Sequence, residues 1–222
     1  MVRLAGAAGR EQLSKDFPAR YPGRDRFGRA VEVPMRRTRV VGAVLLLAVG
    51  CLAAPAAEVG GVTFSETATA GGKDLVLNGV GLREKLWIDV YVAGLYLERK
   101  TSDSQEVLSS AQVKHLRMQF VYKKVTAKQL ADAWSEGFSA NAGPSSATLR
   151  PKLDELCSWM VDMGRGDEMA FTTVPGQGLE VQVRGQTKGR IAGDDFARAF
   201  WSIFLGDRPP TEKLKKGLLG AG

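Results

Sequence analysis

Residues 75–98 read LVLNGVGLREKLWIDVYVAGLYLE, and the placement of their apolar side chains decides the fold class. Leu75 and Leu77 recur at a period of two, as do Leu86, Ile88, Val90 and Val92, and the run is rich in β-branched and aromatic residues, which predicts strands. Leu116, Met118, Phe120 and Tyr122 repeat the pattern further on. Gly71-Gly72 and Gly79 to Gly81 are expected turns. The strand between about Lys85 and Glu98 is expected to be long, with Gly94 marking a bend or bulge.

Beyond these strands the period changes to helical. Thr126 followed by Gln129 has the form of a capping box, and Leu130, Ala133, Trp134, Gly137, Phe138 and Asn141 share one helical face. A second helix is expected after Gly143-Pro144, with Leu149, Leu153, Leu156, Met160 and Met163 on one stripe, ending at Gly164. Three short strands, Ala170 to Val174, Leu179 to Val183 and Gly189 to Ile191, read as a meander. Asp194 is the expected cap of a third helix, and Pro209-Pro210-Thr211 opens a last one carrying Leu214 and Leu218. Strands, a helix pair, strands and a second helix pair argue for an α+β fold with helices packed on an antiparallel sheet.

The chain has 222 residues and a formal net charge of +7, but the charge is uneven. Residues 1–56 carry 10 basic and 4 acidic side chains, which leaves 21 against 20 in residues 57–222. With the body nearly neutral, the basic balance is no argument for nucleic acid as a partner. From Met35 the sequence has the layout of an export signal: Arg36, Arg37 and Arg39, an apolar run from Val40 to Leu52, then small residues to Ala57. The run is shorter than the ~20 residues of a bilayer-spanning helix, so the mature chain is expected to carry no integral membrane span. Cleavage after Ala56 would place the protein in the periplasm; lipidation at Cys51, after Leu47-Ala48-Val49-Gly50, is the alternative that anchors it. Residues 1–34 show no period and read as a mis-assigned start or a disordered extension, residues 35–56 as the signal, and 57–222 as a single domain.

The residues that carry common catalytic chemistry are missing. There is one histidine, His115, and one cysteine after the signal, Cys157; no metal-ligand cluster, phosphate-binding glycine loop or Gly-x-Ser-x-Gly turn exists, and no metal or cofactor is expected. His115 is out of phase with Leu116 and Met118, which puts it on the more polar strand face, and Cys157 beside an apolar stripe reads as an inert thiol. Arg83 follows the glycines at 79 and 81 and leads into the buried strand, where a guanidinium could hold a carboxylate bidentately or form a structural ion pair. Tyr91 and Tyr96 lie on opposite faces by parity, so at most one of them faces a given cavity.

Asn78 to Arg83, followed by Val90 to Glu98, resembles the early core of chalcone isomerase-like proteins, and Gly189 to Phe196 with Ile203 to Asp207 is similar to bacterial members of that family. The resemblance runs from about Gly61 to Gly220. It implies an open-faced β-sandwich, a long antiparallel sheet covered by helices with a ligand cleft between them. The family contains enzymes that cyclise chalcones and noncatalytic relatives that bind fatty acids, in which an arginine matching Arg83 holds the anionic group. The enzymes' threonine before the Gly-x-Tyr-Leu-Glu run is replaced by Tyr91, and their tyrosine and asparagine on the following helix by Leu130 and Gly137; Tyr122 and Asn141 are the nearby residues of the same types. Together these features imply binding of a small amphipathic ligand at Arg83 and Tyr91, with an intramolecular-lyase activity, or a structural envelope role without ligand, as alternatives.

Overall fold

The computed structural model describes residues 56–221. The expected extension, the export signal up to residue 55 and Cys51 lie outside the described residues. In chain order the elements are β1 (Ala56–Val59), β2 (Val62–Ser65), β3 (Thr67–Ala70), β4 (Lys73–Lys85), β5 (Ile88–Leu97), α1 (Ser104–Ser109), β6 (Lys114–Phe120), β7 (Lys124–Val125), α2 (Ala127–Asn141), a 3₁₀ turn (Gly143–Ser146), α3 (Arg150–Ser158), β8 (Met163–Gly164), β9 (Glu168–Val174), β10 (Gly178–Val183), β11 (Gln186–Ile191), α4 (Asp194–Leu205) and α5 (Glu212–Leu218). Seven strands form one antiparallel sheet in the order β11-β10-β9-β6-β5-β4-β3. The architecture is α+β, as the residue patterns and the resemblance imply.

Each face of the sheet has its own core. On the inner face Ala93, Leu95, Leu97, Leu116, Met118, Phe120 and Phe171 pack with α2 to α5, and Trp134, Phe171, Phe200 and Phe204 form an aromatic cluster with ring centroids 4.8 to 6.0 Å apart. On the outer face Val62 and Phe64 of the β1-β2 hairpin cover Leu75, Leu77, Val92 and Tyr96. Alternation along β5 separates Tyr91 (inner) from Tyr96 (outer), as parity requires.

One extra residue in β4 decides what the inner face contains. Leu77 pairs with Tyr96 and Gly79 with Leu95, so Asn78 is a bulge with no partner on β5. A bulge shifts alternation by one: Leu75 and Leu77 face outward, and so do Val80 and Leu82, which turns Gly79, Gly81 and Arg83 inward. Buried Asn78 holds the bulge. Its Nδ2 donates to Leu218 O at 2.8 Å, and its Oδ1 accepts from Thr101 N at 2.8 Å.

The structure corrects several expectations. Gly79 to Gly81 is no turn; it lies mid-strand, where α5 approaches the backbone so closely that a Cβ on Gly79 would lie 2.1 Å from Gly217 O. The turn falls instead at Leu86-Trp87, so the strand expected from Lys85 starts at Ile88. Gly94 marks no bulge. It sits in regular register opposite Val80 and Arg117, and the Phe64 ring packs where its Cβ would be, 2.6 Å from the nearest ring carbon. The helix expected to reach Gly164 ends at Ser158; Met163 stays buried as part of β8, paired with Val125, and so imitates a helical stripe. Gly193, at φ 105°, precedes α4 as its N-cap, and the Asp194 carboxylate instead accepts from Gly176 N. Helix α1, capped by Asp103, has one buried side chain, Val107, too few to leave a period in the sequence. The capping box at Thr126 forms as read, and α5 opens after Pro209-Pro210 with Thr211 as its cap.

His115 lies on the outer face, half-buried, with Nδ1 2.9 Å from Thr172 Oγ1 and the Tyr96 ring 5.8 Å away. Burial, helped by the Arg117 charge, lowers its pKa to about 4. The unfolded chain therefore takes up a proton below about pH 6.5 that the folded chain refuses until about pH 4, so stability falls as pH drops through that window. In urea titrations at pH 7 and pH 4.5, His115→Gln is expected to lose less stability on acidification than the unchanged protein; equal losses would show that His115 does not contribute.

Candidate functional site

A cavity of about 570 Å³ opens between the inner face of the sheet and α2, within the ~300–1,000 Å³ of small-molecule sites. Its buried floor is Tyr91, Met118, Val125, Leu130, Trp134 and Ile203. The rim is formed by exposed Lys85, Leu86, Ile88, Lys124, Glu136 and Arg208. Small residues on one side of α2, Ala133, Gly137 and Ala140, leave the space open. A second, smaller cavity of about 90 Å³ beside Lys114, Asp194 and Trp201 has its buried polar groups already engaged, Lys114 Nζ with Ser110 O at 2.7 Å and Trp201 Nε1 with Thr173 Oγ1 at 2.8 Å.

Arg83 and Tyr91, singled out from the sequence, both line the larger cavity and face each other across the β4-β5 ladder. Arg83 is half-buried and donates from Nη1 to Glu84 O at 2.5 Å; it forms no ion pair among the described residues. A structural ion pair is thereby set aside for this residue. Tyr91 is 8% exposed, and no described group hydrogen-bonds to its hydroxyl. Since no enclosed side-chain polar atom in the described residues is unpartnered, that hydroxyl opens to the cavity. Burial raises its pKa well above the ordinary tyrosine value, against the opposing pull of the Arg83 charge, so it stays a neutral donor. A guanidinium and a phenol without carboxylate partners, at the edge of an apolar chamber, can together hold an anionic head group.

Leu130 and Gly137 do face the cavity, and neither brings a polar side chain. A Cβ on Gly137 would lie 2.7 Å from Ile203 Cγ2, so a larger residue there needs Ile203 to move. Tyr122 joins the lining, whereas Asn141 is engaged elsewhere: Nδ2 donates to Gly137 O and Arg208 O, and Oδ1 accepts from Arg208 N, all at 2.9 Å. Cys157 is half-buried, its thiol pKa raised by burial, and does not line the cavity. The rim cations Lys85, Lys124 and Arg208 carry no sequence motif; only the fold gathers them. Among the described residues no cluster of His, Cys, Asp or Glu could hold a metal ion, and no helix is long and apolar enough to cross a membrane.

The family model described as chalcone isomerase-like matches residues 56–220. Chalcone isomerase-like protein 1 of Humulus lupulus is 24% identical over 159 residues, covering 59% of this chain and 74% of that protein. Among solved structures, a fatty-acid binding protein of Arabidopsis thaliana superposes with a TM-score of 0.61 at 18% identity, over 74% of this chain and 96% of that one. At that identity the likeness is one of fold.

Proposed function

The chain belongs to the chalcone isomerase-like family, and from that premise we propose that it is an exported protein that binds a small amphipathic carboxylate, such as a fatty acid, without transforming it. The observation that carries the reading is the apolar cavity with Arg83, which forms no ion pair among the described residues, at its edge. The name of the Arabidopsis neighbour, a fatty-acid binding protein on the same fold, supports the ligand class. An open cavity of this size weighs against a purely structural envelope role.

An intramolecular-lyase reading draws on the Tyr91 and Tyr122 hydroxyls in the same lining. General acid-base help worth about 10²- to 10⁴-fold requires donors placed around the reacting atoms, and the wall at Leu130 and Gly137 supplies none. Fold similarity does not restore such groups.

One experiment separates the two readings. Protein recovered after export, with its N-terminus sequenced and expected at Ala57 to within about three residues, is titrated with a fluorescent fatty acid and separately incubated with naringenin chalcone. Saturable fatty-acid binding with no cyclisation above buffer is expected. Arg83-dependent turnover on the order of 1 s⁻¹ or faster would establish an enzyme, and absence of both would remove the cavity's proposed role. Intact residues 36–56 on cytoplasmic protein would end the export proposal.

A further inference from the structure

The hairpin joining β4 and β5 carries two unfavourable features at once. Lys85 pairs with Ile88, so Leu86 and Trp87 alone form the turn, with φ 50° and 66°. Two-residue hairpin turns of this kind favour Asn-Gly, because bulky side chains are strained at positive φ. The side chains are also exposed to water: 81% for Leu86 and 94% for Trp87, followed by Ile88 at 41%. They are the exposed large hydrophobics of the described residues, and the other three tryptophans are buried or half-buried. The β10-β11 hairpin shows the ordinary solution: its second turn residue is Gly185, and Arg184, at φ 50°, donates to the Asp167 carboxylate and to Asp162 O. Leu86-Trp87 has neither the glycine nor the partner. A turn that is both strained and greasy gains nothing for folding, which directs attention to what it meets.

Its surroundings specify the chemistry of that partner. Leu86 and Ile88 stand on the rim of the large cavity, and the charged lining there is Arg83, Lys85, Lys124 and Arg208 against Glu136. Lys124 is paired with Asp162 at 2.9 Å, while Lys85 and Arg208 form no side-chain ion pair among the described residues. Near the tip, Glu84 meets Lys213 at 3.7 Å and Asp89 is exposed. An exposed tryptophan flanked by Leu and Ile, with lysine and arginine lining the same cavity mouth, matches the interface of a bilayer whose head groups are anionic. We propose that the Leu86-Trp87-Ile88 tip inserts into the interfacial region of an anionic phospholipid membrane and brings the cavity mouth to the lipid surface. The geometry stands by itself; the purpose, moving an amphipathic ligand between membrane and cavity without crossing water, rests on the function proposed above.

The test is flotation of the purified protein with phosphatidylcholine vesicles and with vesicles containing one quarter phosphatidylglycerol. Binding to the anionic vesicles, weakened by high salt, is expected. Trp87→Gly relieves the backbone at φ 66° and so keeps the fold, yet is expected to reduce binding roughly tenfold or more, while Trp87→Tyr, still an interfacial aromatic, retains most of it. Absence of vesicle binding, equal binding by Trp87→Gly, or a dimer that Trp87→Gly dissociates in a protein that ignores vesicles would overturn the proposal. Fatty-acid titration of the same samples keeps the two readings apart: Trp87 is outside the cavity lining, so an unchanged protein that binds fatty acid but does not dock on the vesicles removes only the membrane role. Docking without ligand binding would remove only the cavity reading.

Discussion

Gly79→Val is expected to destabilise the protein by about 3 kcal/mol or more, the upper end of what overpacking does. A side chain at that position would place its Cβ 2.1 Å from Gly217 O, 2.6 Å from Gly220 N and 2.8 Å from Leu218 O. All three are backbone atoms of α5 and its C-terminus, so no rotamer change can relieve the contact. The only accommodation is for α5 to leave the sheet, which exposes Leu214 and Leu218, both fully buried, and breaks the Asn78 Nδ2 bond to Leu218 O. Burial of each leucine is worth roughly 1.5–3 kcal/mol. The sign is diagnostic: in an ordinary strand, replacing glycine by alanine would add about 0.5–1 kcal/mol, whereas here Gly79→Ala must already lose stability. Denaturant unfolding of both variants, with limited proteolysis of the C-terminus, checks the prediction. A midpoint for Gly79→Ala equal to or above that of the unchanged protein would show that α5 is not held against β4 in this way.

The same glycines show where the sequence is legible and where it is not. Period-two runs at Leu116, Met118 and Phe120 and the capping box at Thr126 are local signals, and both became the structures they indicate. A glycine, by contrast, looks the same whether it serves a turn, a bulge or the close approach of a distant element. Gly79 and Gly81 read as a turn because the helix that requires them lies more than 130 residues away in the chain. Leu86 and Trp87 read as strand for the complementary reason: apolar residues in a turn violate the expected chemistry, and no local pattern warns of it. For the site, parity along β5 correctly separated Tyr91 from Tyr96, since alternation is a local property. That Arg83 faces the same side as Tyr91 depends on the bulge at Asn78; uninterrupted alternation from Leu75 would have turned it to the outer face. The resemblance to a family pointed to Arg83, and the bulge supplies the physical reason that it lines the cavity.

Arg83→Ala is expected to weaken binding of a fatty-acid carboxylate by about 10- to 150-fold, the equivalent of the roughly 1.5–3 kcal/mol of a hydrogen bond to a charged group. Among the described residues the guanidinium has no carboxylate partner, and it hydrogen-bonds to the Glu84 carbonyl next to it in the chain. Removing it therefore strands no buried partner, and the stability of the variant should stay within about 1 kcal/mol of the parent. This separates the residue from a structural role, in which stability and affinity would fall together. Arg83→Lys keeps a charge without the planar fork, so partial recovery is expected, with the shortfall measuring bidentate contact. Tyr91→Phe removes a neutral donor and should cost about 0.5–1.5 kcal/mol, a smaller loss. The discriminating ligand is the methyl ester of the same fatty acid, which fills the apolar cavity but offers no anion. Calorimetry should find the ester bound equally by the parent and by Arg83→Ala, and the acid bound far better by the parent. If the ester loses as much as the acid, Arg83 shapes the cavity and does not recognise the head group; if neither loses, the anion is held elsewhere on the rim, by Lys85 or Arg208.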